Sequence, residues 1–449
     1  QLVVADPEIH RMETELAEIL RTAAKANPHA VANVEALLNA EAGELNPEQR
    51  AAVRNAFCYS ISLMTGGAGS GKTYAVSSIT SIAERLELDV VLAAPTGKAA
   101  KRLEEVVGHE ASTIHRLLGY NGRTYSCDAL NPIEADILVI DEVSMVDVPL
   151  AWQMFQAIDR ARTAVILVGD HNQLPPVGPG NLLRDLVQSR AIPTTVLTTI
   201  IRQAGVLKES STAILDGEVR PTAEVRLGAR RPWYVIDKFT DCLDIRRMLL
   251  LLFDEILQER LGYDLLRDIQ VLTPIHKGPL GTVELNIELQ RLLQRKLNGV
   301  SVADIEPGRR PRLYAGDKVI QTKNDYELDV MNGSMGVVRM AGSDGSLVVD
   351  FDGRAVEIAA DADAVSNVQL AYATSIHKVQ GSEFPCAIVV AHKSHSFMHH
   401  RNLLYTAVTR AKDSVIILGD RWGIANCATK RQVDRRNTFL SFLLPEARA

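Results

Sequence analysis

The stretch "MTGGAGSGKT", residues 64–73, decides how the rest of the chain is read. Gly66 is followed, four residues later, by Gly71, Lys72 and Thr73, the spacing of a phosphate-binding loop. The apolar run "ISLMT" leads into it and a helical pattern leads out, so the loop joins a strand to a helix. Gly67, Gly69 and Gly71 let backbone N–H groups turn inward around phosphate oxygens. Lys72 suits the β- and γ-phosphates, and the Thr73 hydroxyl suits Mg²⁺. ATP and Mg²⁺ are therefore the expected ligands.

Working outward, short apolar runs alternate with helical stretches: "VVLAAP" at 90–95, "DILVID" at 136–141, "AVILVGD" at 164–170 and "TTVLT" at 194–198. Such alternation predicts a parallel sheet covered on both faces, with ligands at the carboxyl ends of its strands. The pattern resumes after about 265 with "DIQVLTP", "CAIVVAH" and "SVIILGD", a second α/β layer. Between them, residues 313–360 carry short β-type runs punctuated by Asn-Gly, Asp-Gly and Gly-Ser, which predicts a small inserted β-barrel. Residues 119–132, "GYNGRTYSCDALNP", read as a hairpin interrupting the first layer. Residues 7–42 read as short helices, and residues 1–44 as the remnant of an N-terminal domain.

The chain has 449 residues and a formal net charge of −6, which speaks against a whole-surface nucleic-acid binder but leaves room for a local basic channel. Its five cysteines are scattered without a Cys-x-x-Cys pair, which argues against a disulfide framework or zinc cluster and agrees with a reducing, cytoplasmic setting. The longest apolar run, "MLLLLF" at 248–253, is too short to span a bilayer, so no membrane role is expected. No carboxylate cluster of nuclease type is evident beyond the nucleotide motifs.

Other motifs sharpen the chemistry. "LVIDEVS" at 138–144 ends a buried strand with Asp141, suited to the Mg²⁺ shell, and Glu142, suited to activating a water. "GDHNQLPPVGPG" at 169–180 places Gln173 after the next strand, where it could sense the γ-phosphate. Gln49 is open to two readings. In "LNPEQR" it completes a capping box with Asn46, with Pro47 at the first helical position; alternatively its amide contacts adenine.

Taken in order, "GGAGSGKT", "APTGKAAKRL", "STIHRLLGY", "LVIDEVSM", "VGDHNQLPPV", "IIRQ", "VLTPIHKGPLG", "QTKNDY", "YATSIHKVQGSE" and "NLLYTAVTRAKD" make the chain resemble superfamily 1 helicases, most closely their RecD-like branch, from about Leu45 to Thr438. The resemblance implies two RecA-like domains, at 45–199 and 200–449, with an SH3-like barrel inserted in the second and a nucleotide cleft between the two. It implies that Gln49 reads adenine, that Arg202 and Arg410 reach the γ-phosphate, and that Gly381 and Glu383 also contact nucleotide. It places DNA contacts at Pro95, Thr96, Lys98, Thr113, His115, Ser375 and His377, with Asn324 in the barrel. It further implies 5′→3′ movement on single-stranded DNA, action at single-strand/duplex junctions, a role in repair or recombination, and a bacterial or phage-type, nucleoid-associated setting. Alternatives kept open are an ATP-gated subunit regulating a nuclease complex and an RNA-directed motor. No protein partner is identified, and a monomer is the default expectation. Ser375 stands where the family often has Thr, and residues 205–260 carry no assigned chemistry.

Overall fold

The computed structural model describes residues 6–21, 27–29, 31, 33–41, 45–199, 205–223, 230–302, 310–325, 327–431 and 438–444. They form two units: one holds the described residues up to 199 together with 438–444, the other those from 205 to 431.

The first unit has six strands: β1 (Ile61–Gly66), β2 (Val90–Ala94), β3 (Ala111–Thr113), β4 (Ile137–Ile140), β5 (Ala164–Gly169) and β6 (Thr194–Leu197). They lie in the order β3-β2-β4-β5-β1-β6, and every pairing is parallel. Every residue of β1, β4 and β5 is buried, as expected of strands covered on both faces. The two-residue period divides their side chains. Leu63, Leu138, Ile140, Val165 and Leu167 join one core with Leu16, Leu20, Phe155, Leu182 and Leu186. Met64, Ile137, Val139, Ile166 and Val168 join the opposite core with Val53, Phe57, Val76 and Ile79.

The N-terminal helix Pro7–Arg21 is part of this unit's core: Leu16 and Leu20 are fully buried, each worth roughly 1.5–3 kcal/mol of apolar transfer. Residues 438–444 return to the same face. Leu440 and Leu444 join that core, and the Thr438 hydroxyl lies 2.7 Å from Glu13 Oε1 and 3.0 Å from Asp185 Oδ2. The second expected domain, drawn to 449, thus gives its last described segment to the first unit.

The second unit contributes β7 (Trp233–Ile236), β8 (Ile269–Thr273), β9 (Lys318–Gln321), β10 (Met335–Ala341), β11 (Leu347–Phe351), β12 (Arg354–Ile358), β13 (Val368–Leu370), β14 (Ala373–Ser375), β15 (Phe384–Ala391) and β16 (Ala411–Gly419). A parallel sheet runs β14-β8-β15-β16-β7, and an antiparallel one runs β12-β11-β10-β9-β13. The antiparallel sheet occupies the expected barrel region but reaches past 360, because β13 pairs with β9. Asp352 and Gly353, at φ 52° and 91°, make the tight β11–β12 turn that an Asp-Gly pair favours. At the sheet's root the buried Asp317 carboxylate accepts four hydrogen bonds, from Gln290 Nε2 (2.6 Å), Gln294 Nε2 (2.7 Å), Tyr372 Oη (2.8 Å) and the Tyr314 N–H (2.8 Å).

The expected hairpin at 119–132 is present only as a chain reversal. The Asn121 N–H reaches the Thr124 carbonyl, and the Ser126 and Cys127 N–H groups share the Leu118 carbonyl, but no strand forms. Asn121 and Asp128 side chains accept the N–H groups of Arg123, Thr124, Leu130 and Asn131. Such local bonds satisfy the backbone in place of a ladder. Leu130, at the end of this reversal, is 96% exposed.

Candidate nucleotide site and nucleic-acid edge

The phosphate loop follows β1. A side-chain carbon at Gly66 would sit 2.7 Å from both the Leu197 carbonyl oxygen and Ser70 Oγ, so only glycine fits there. Gly69 and Gly71 are left-handed, at φ 76° and 81°, and Gly71 caps the helix Lys72–Arg85. That turn leads into the positive N-terminal end of the helix, where an anion is favoured. The Lys72 ammonium donates to the carbonyls of Gly66 (2.8 Å) and Gly67 (3.1 Å), so it already stands over the loop. Thr73 follows as the second helical residue, partly accessible.

Asp141 and Glu142 directly follow β4, and Asp170 and Gln173 follow β5. Because β4, β5 and β1 are consecutive in the sheet, these groups and the loop share one stretch of its carboxyl edge. Glu142 is left-handed at φ 53°, and its N–H donates 2.8 Å to Asp141 Oδ1. A non-glycine residue held in that region carries strain, which gathers at functional sites. Burial, and then the Glu142 charge beside it, push the Asp141 carboxyl up to about 6. A carboxylate so disfavoured gains from a cation, which fits the expected Mg²⁺.

Three polar features here escaped the sequence reading. The hydroxyls of Ser70 and Ser144 are buried without a hydrogen-bond partner, and an unmade buried bond costs about 1–3 kcal/mol. Both sit inside motifs already quoted, where a polar ligand would satisfy them. His171 Nδ1 lies 2.9 Å from Thr65 Oγ1, and burial holds that imidazole below its usual range.

Gln49 is fully buried, and both sides of its amide are engaged. Its Oε1 accepts the Asn46 N–H at 3.0 Å and Asn46 Oδ1 accepts the Gln49 N–H at 2.9 Å, a complete capping box. Its Nε2 donates to the Ser70 and Gly71 carbonyls, each at 3.3 Å. The capping alternative is therefore realised, and the amide also braces the phosphate loop. An adenine contact through Nε2 would require giving up its bonds to the loop carbonyls. The neighbouring Glu48 Oε2 accepts the N–H groups of Thr198 (2.8 Å) and Thr199 (3.0 Å).

The candidate DNA residues of the first unit lie farther along the same edge. Thr96 follows β2 after Pro95 and caps helix Gly97–Val107 through its hydroxyl; Lys98 lies in that helix's first turn. Thr113 ends β3 and caps helix Ile114–Leu117, which carries His115. Ala94 and Thr113 are register partners, so the two groups adjoin. The His115 ring packs with Tyr120 and Tyr125, at centroid distances of 5.5 and 6.3 Å.

In the second unit Arg410 is buried just before β16. Its guanidinium donates to the Thr406 carbonyl (3.1 Å), the Ser382 carbonyl (3.3 Å) and Thr409 Oγ1 (3.3 Å). This joins the "QGSE" and "YTAVTRA" motifs: Gly381 is left-handed at φ 76°, and Glu383 pairs with Lys412 at 3.7 Å. Ser375 ends β14 and leads into the 3-10 turn holding His377, whose imidazole burial keeps below its usual range. Asn324 is not beside them in sequence; its Oδ1 accepts the Asn332 N–H at 2.8 Å. Arg202 lies outside the described residues. Among the described residues no group of three or more His, Cys, Asp or Glu side chains is arranged to hold a metal ion. No helix among them is long and apolar enough to cross a membrane.

Residues 44–231 match the AAA domain family, residues 285–351 the SH3 domain of ATP-dependent RecD-like DNA helicases, and residues 370–418 the UvrD-like helicase C-terminal domain. The chain is 32% identical over 429 residues to the RecBCD enzyme subunit RecD of Mycobacterium tuberculosis, covering 86% of this chain and 71% of that protein. The chain belongs to the RecD-like helicase family. Among RecD-like proteins it is also 38% identical over 440 residues to the ATP-dependent RecD2 DNA helicase of Deinococcus radiodurans, covering 97% of this chain but only 57% of that protein. The crystal structure of Pif1 helicase from Candida albicans shares the fold, with a TM-score of 0.50 at 20% identity, covering 87% of this chain and 98% of that one.

Proposed function

We propose that this RecD-like chain is an ATP-dependent DNA helicase or translocase moving 5′→3′ on single-stranded DNA and opening duplex at junctions. The observation that carries the proposal is the shared carboxyl edge, with Lys72, Asp141 and Gln173 following strands that are consecutive in the sheet and Thr96 and Thr113 farther along it. Lys72 exchanges its carbonyl partners for phosphate oxygens. Thr73 and Asp141 would hold Mg²⁺, which when bound offsets phosphate charge. Glu142 takes a proton from the attacking water, Gln173 orients the γ-phosphate, and Arg410, together with Arg202, lends positive charge to the transition state. Hydroxyls, helix N-termini and Lys98 grip the DNA backbone without reading sequence. Polarity rests on the family resemblance alone.

The test is unwinding of 5′-tailed and 3′-tailed duplexes by the purified chain with ATP and Mg²⁺. Opening of the 5′-tailed duplex alone is expected; preference for the 3′ tail would overturn the polarity. A second reading follows from the mycobacterial relative's name as a RecBCD subunit: an ATP-gated DNA-binding subunit that does not unwind alone. ATPase stimulated by single strands, with neither duplex opened, would favour it.

A further inference from the structure

At the carboxyl ends of β7, β15 and β16 the second unit gathers side chains that the nucleotide reading leaves aside. His392 follows β15, Asp420 follows β16, and Cys242 opens the helix Cys242–Leu251 that comes after β7. His392 Nε2 lies 3.2 Å from the Thr240 carbonyl oxygen and 3.8 Å from Asp420 Oδ1. Both neighbours only accept hydrogen bonds, so the ring proton belongs on Nε2 and Nδ1 presents its lone pair. Nδ1 stands 3.4 Å from Cys242 Sγ, and it accepts the Ser394 N–H at 3.2 Å with Ser394 Oγ at 2.8 Å. The order is thiol, imidazole, carboxylate, with the base oriented by a third group, as in activated-nucleophile sites.

None of the chain's other cysteines has such surroundings. Burial pushes the Cys386 and Cys427 thiols up to about 12, which makes them inert. Cys127 points its sulfur at the Leu117 carbonyl, 3.5 Å away, and Cys58 is exposed at a helix end. Cys242 is half-buried and reachable. It opens a ten-residue helix whose capping Asp241 carboxylate accepts the Leu243 N–H at 2.7 Å. Close by, His395 is fully buried with neither ring nitrogen hydrogen-bonded, its centroid 6.1 Å from that of His392. A polar group entering the cluster would meet this open donor and acceptor.

We propose that Cys242 is a nucleophilic thiol, with His392 as its proton acceptor and Asp420 behind it, that forms mixed disulfides with small disulfides. The Cys242 proton passes to His392 Nδ1 as the sulfur attacks. A bond forms to one sulfur of the small disulfide and the bond between its two sulfurs breaks. The departing thiolate takes the proton back from the imidazolium, so one thiol is oxidised and one released. Asp420 and the Thr240 carbonyl hold the imidazolium in the interval. The proposal is independent of the nucleotide chemistry.

The test exposes the fully reduced chain to oxidised glutathione and follows each cysteine by peptide mass mapping after an acid quench. Cys242 is expected to gain glutathione at least tenfold faster than Cys58, although Cys58 is the more exposed. Reaction of Cys58 at the same rate or faster would overturn the proposal, and this comparison needs no variant. His392→Gln is expected to slow Cys242 at least tenfold, and Cys242→Ser to remove the fast adduct. Because His392 also caps a short turn, the Gln variant is read alongside its melting temperature. A variant that melts like the parent and reacts at the parent rate would likewise overturn the proposal.

Discussion

The two parallel sheets place their candidate nucleotide residues at opposite edges. In the first unit the phosphate loop, Asp141 and Gln173 all follow strands; in the second, Gly381 and Glu383 precede β15 and Arg410 precedes β16. The difference has a physical basis. Wrapping a phosphate in backbone N–H groups needs a helix N-terminus, which a right-handed strand-to-helix turn supplies at the carboxyl edge. An arginine carries its own charge and donors on a long stem and can work from any edge. The first unit's edge is thus shaped to hold an anion, and the second offers a charged side chain at the other end of its strands.

This contrast is tested most severely by Lys72→Ala, which is expected to abolish ATP turnover while leaving single-strand affinity within a few-fold, read by phosphate release and by fluorescence anisotropy. Retained turnover would remove the first unit's role. Next in size, replacing residues 120–130 with a short Gly-Ser link should eliminate duplex opening while DNA-stimulated ATPase persists. Unwinding at the parent rate would make that reversal, with its exposed Leu130, an inert loop. Arg410→Ala should lower kcat by about 10³-fold with little change in KM, because an arginine acting on the transition state adds little to ground-state binding. A raised KM at normal kcat would instead give the second unit a binding role and erase the contrast.

Smaller effects concern how the first unit is held. Burial, aided by the Glu13 charge and opposed by the Thr438 hydrogen bond and the Arg184 charge, raises the Asp185 carboxyl from 3.8 to about 7. The fold therefore favours its protonated form. That stability is complete below about pH 4 and is lost as pH rises towards 7. Asp185→Asn, which cannot ionise, should gain on the parent across this window by at most about 4 kcal/mol, at roughly 1.4 kcal/mol per unit. Urea unfolding at pH 4 and pH 8 measures it, and a constant difference between the proteins would contradict the assignment. Gln49→Ala should cost about 1–2 kcal/mol as a lost cap and raise KM equally for ATP and GTP, since the amide braces the loop. A loss confined to ATP would restore the adenine contact.

The long buried strands and the phosphate loop were legible because their signals are local: continuous apolar runs and fixed glycine spacing. β3, β13 and β14 are three residues each, too short for any periodicity to register. The reversal at 119–132 carries strand-like residues, but its Asn and Asp side chains claim the backbone first. Gln49 was ambiguous because both readings use the same amide, and only the nearby Ser70 and Gly71 carbonyls separate them. The unpartnered hydroxyls of Ser70 and Ser144 are products of packing that no spacing rule encodes.

The return of residues 438–444 to the first unit bears on how the molecule can be dissected. A fragment ending near residue 204 would look like a natural ATPase module, yet it would lack Leu440 and Leu444 from one of its two cores and strip Glu13 of the Thr438 hydroxyl and the Phe439 N–H. Supplying the missing strip as a separate peptide, or grafting it behind residue 199 through a linker, is then the natural way to obtain that unit alone. In folding terms, the first unit is completed only after the chain of the second has been made.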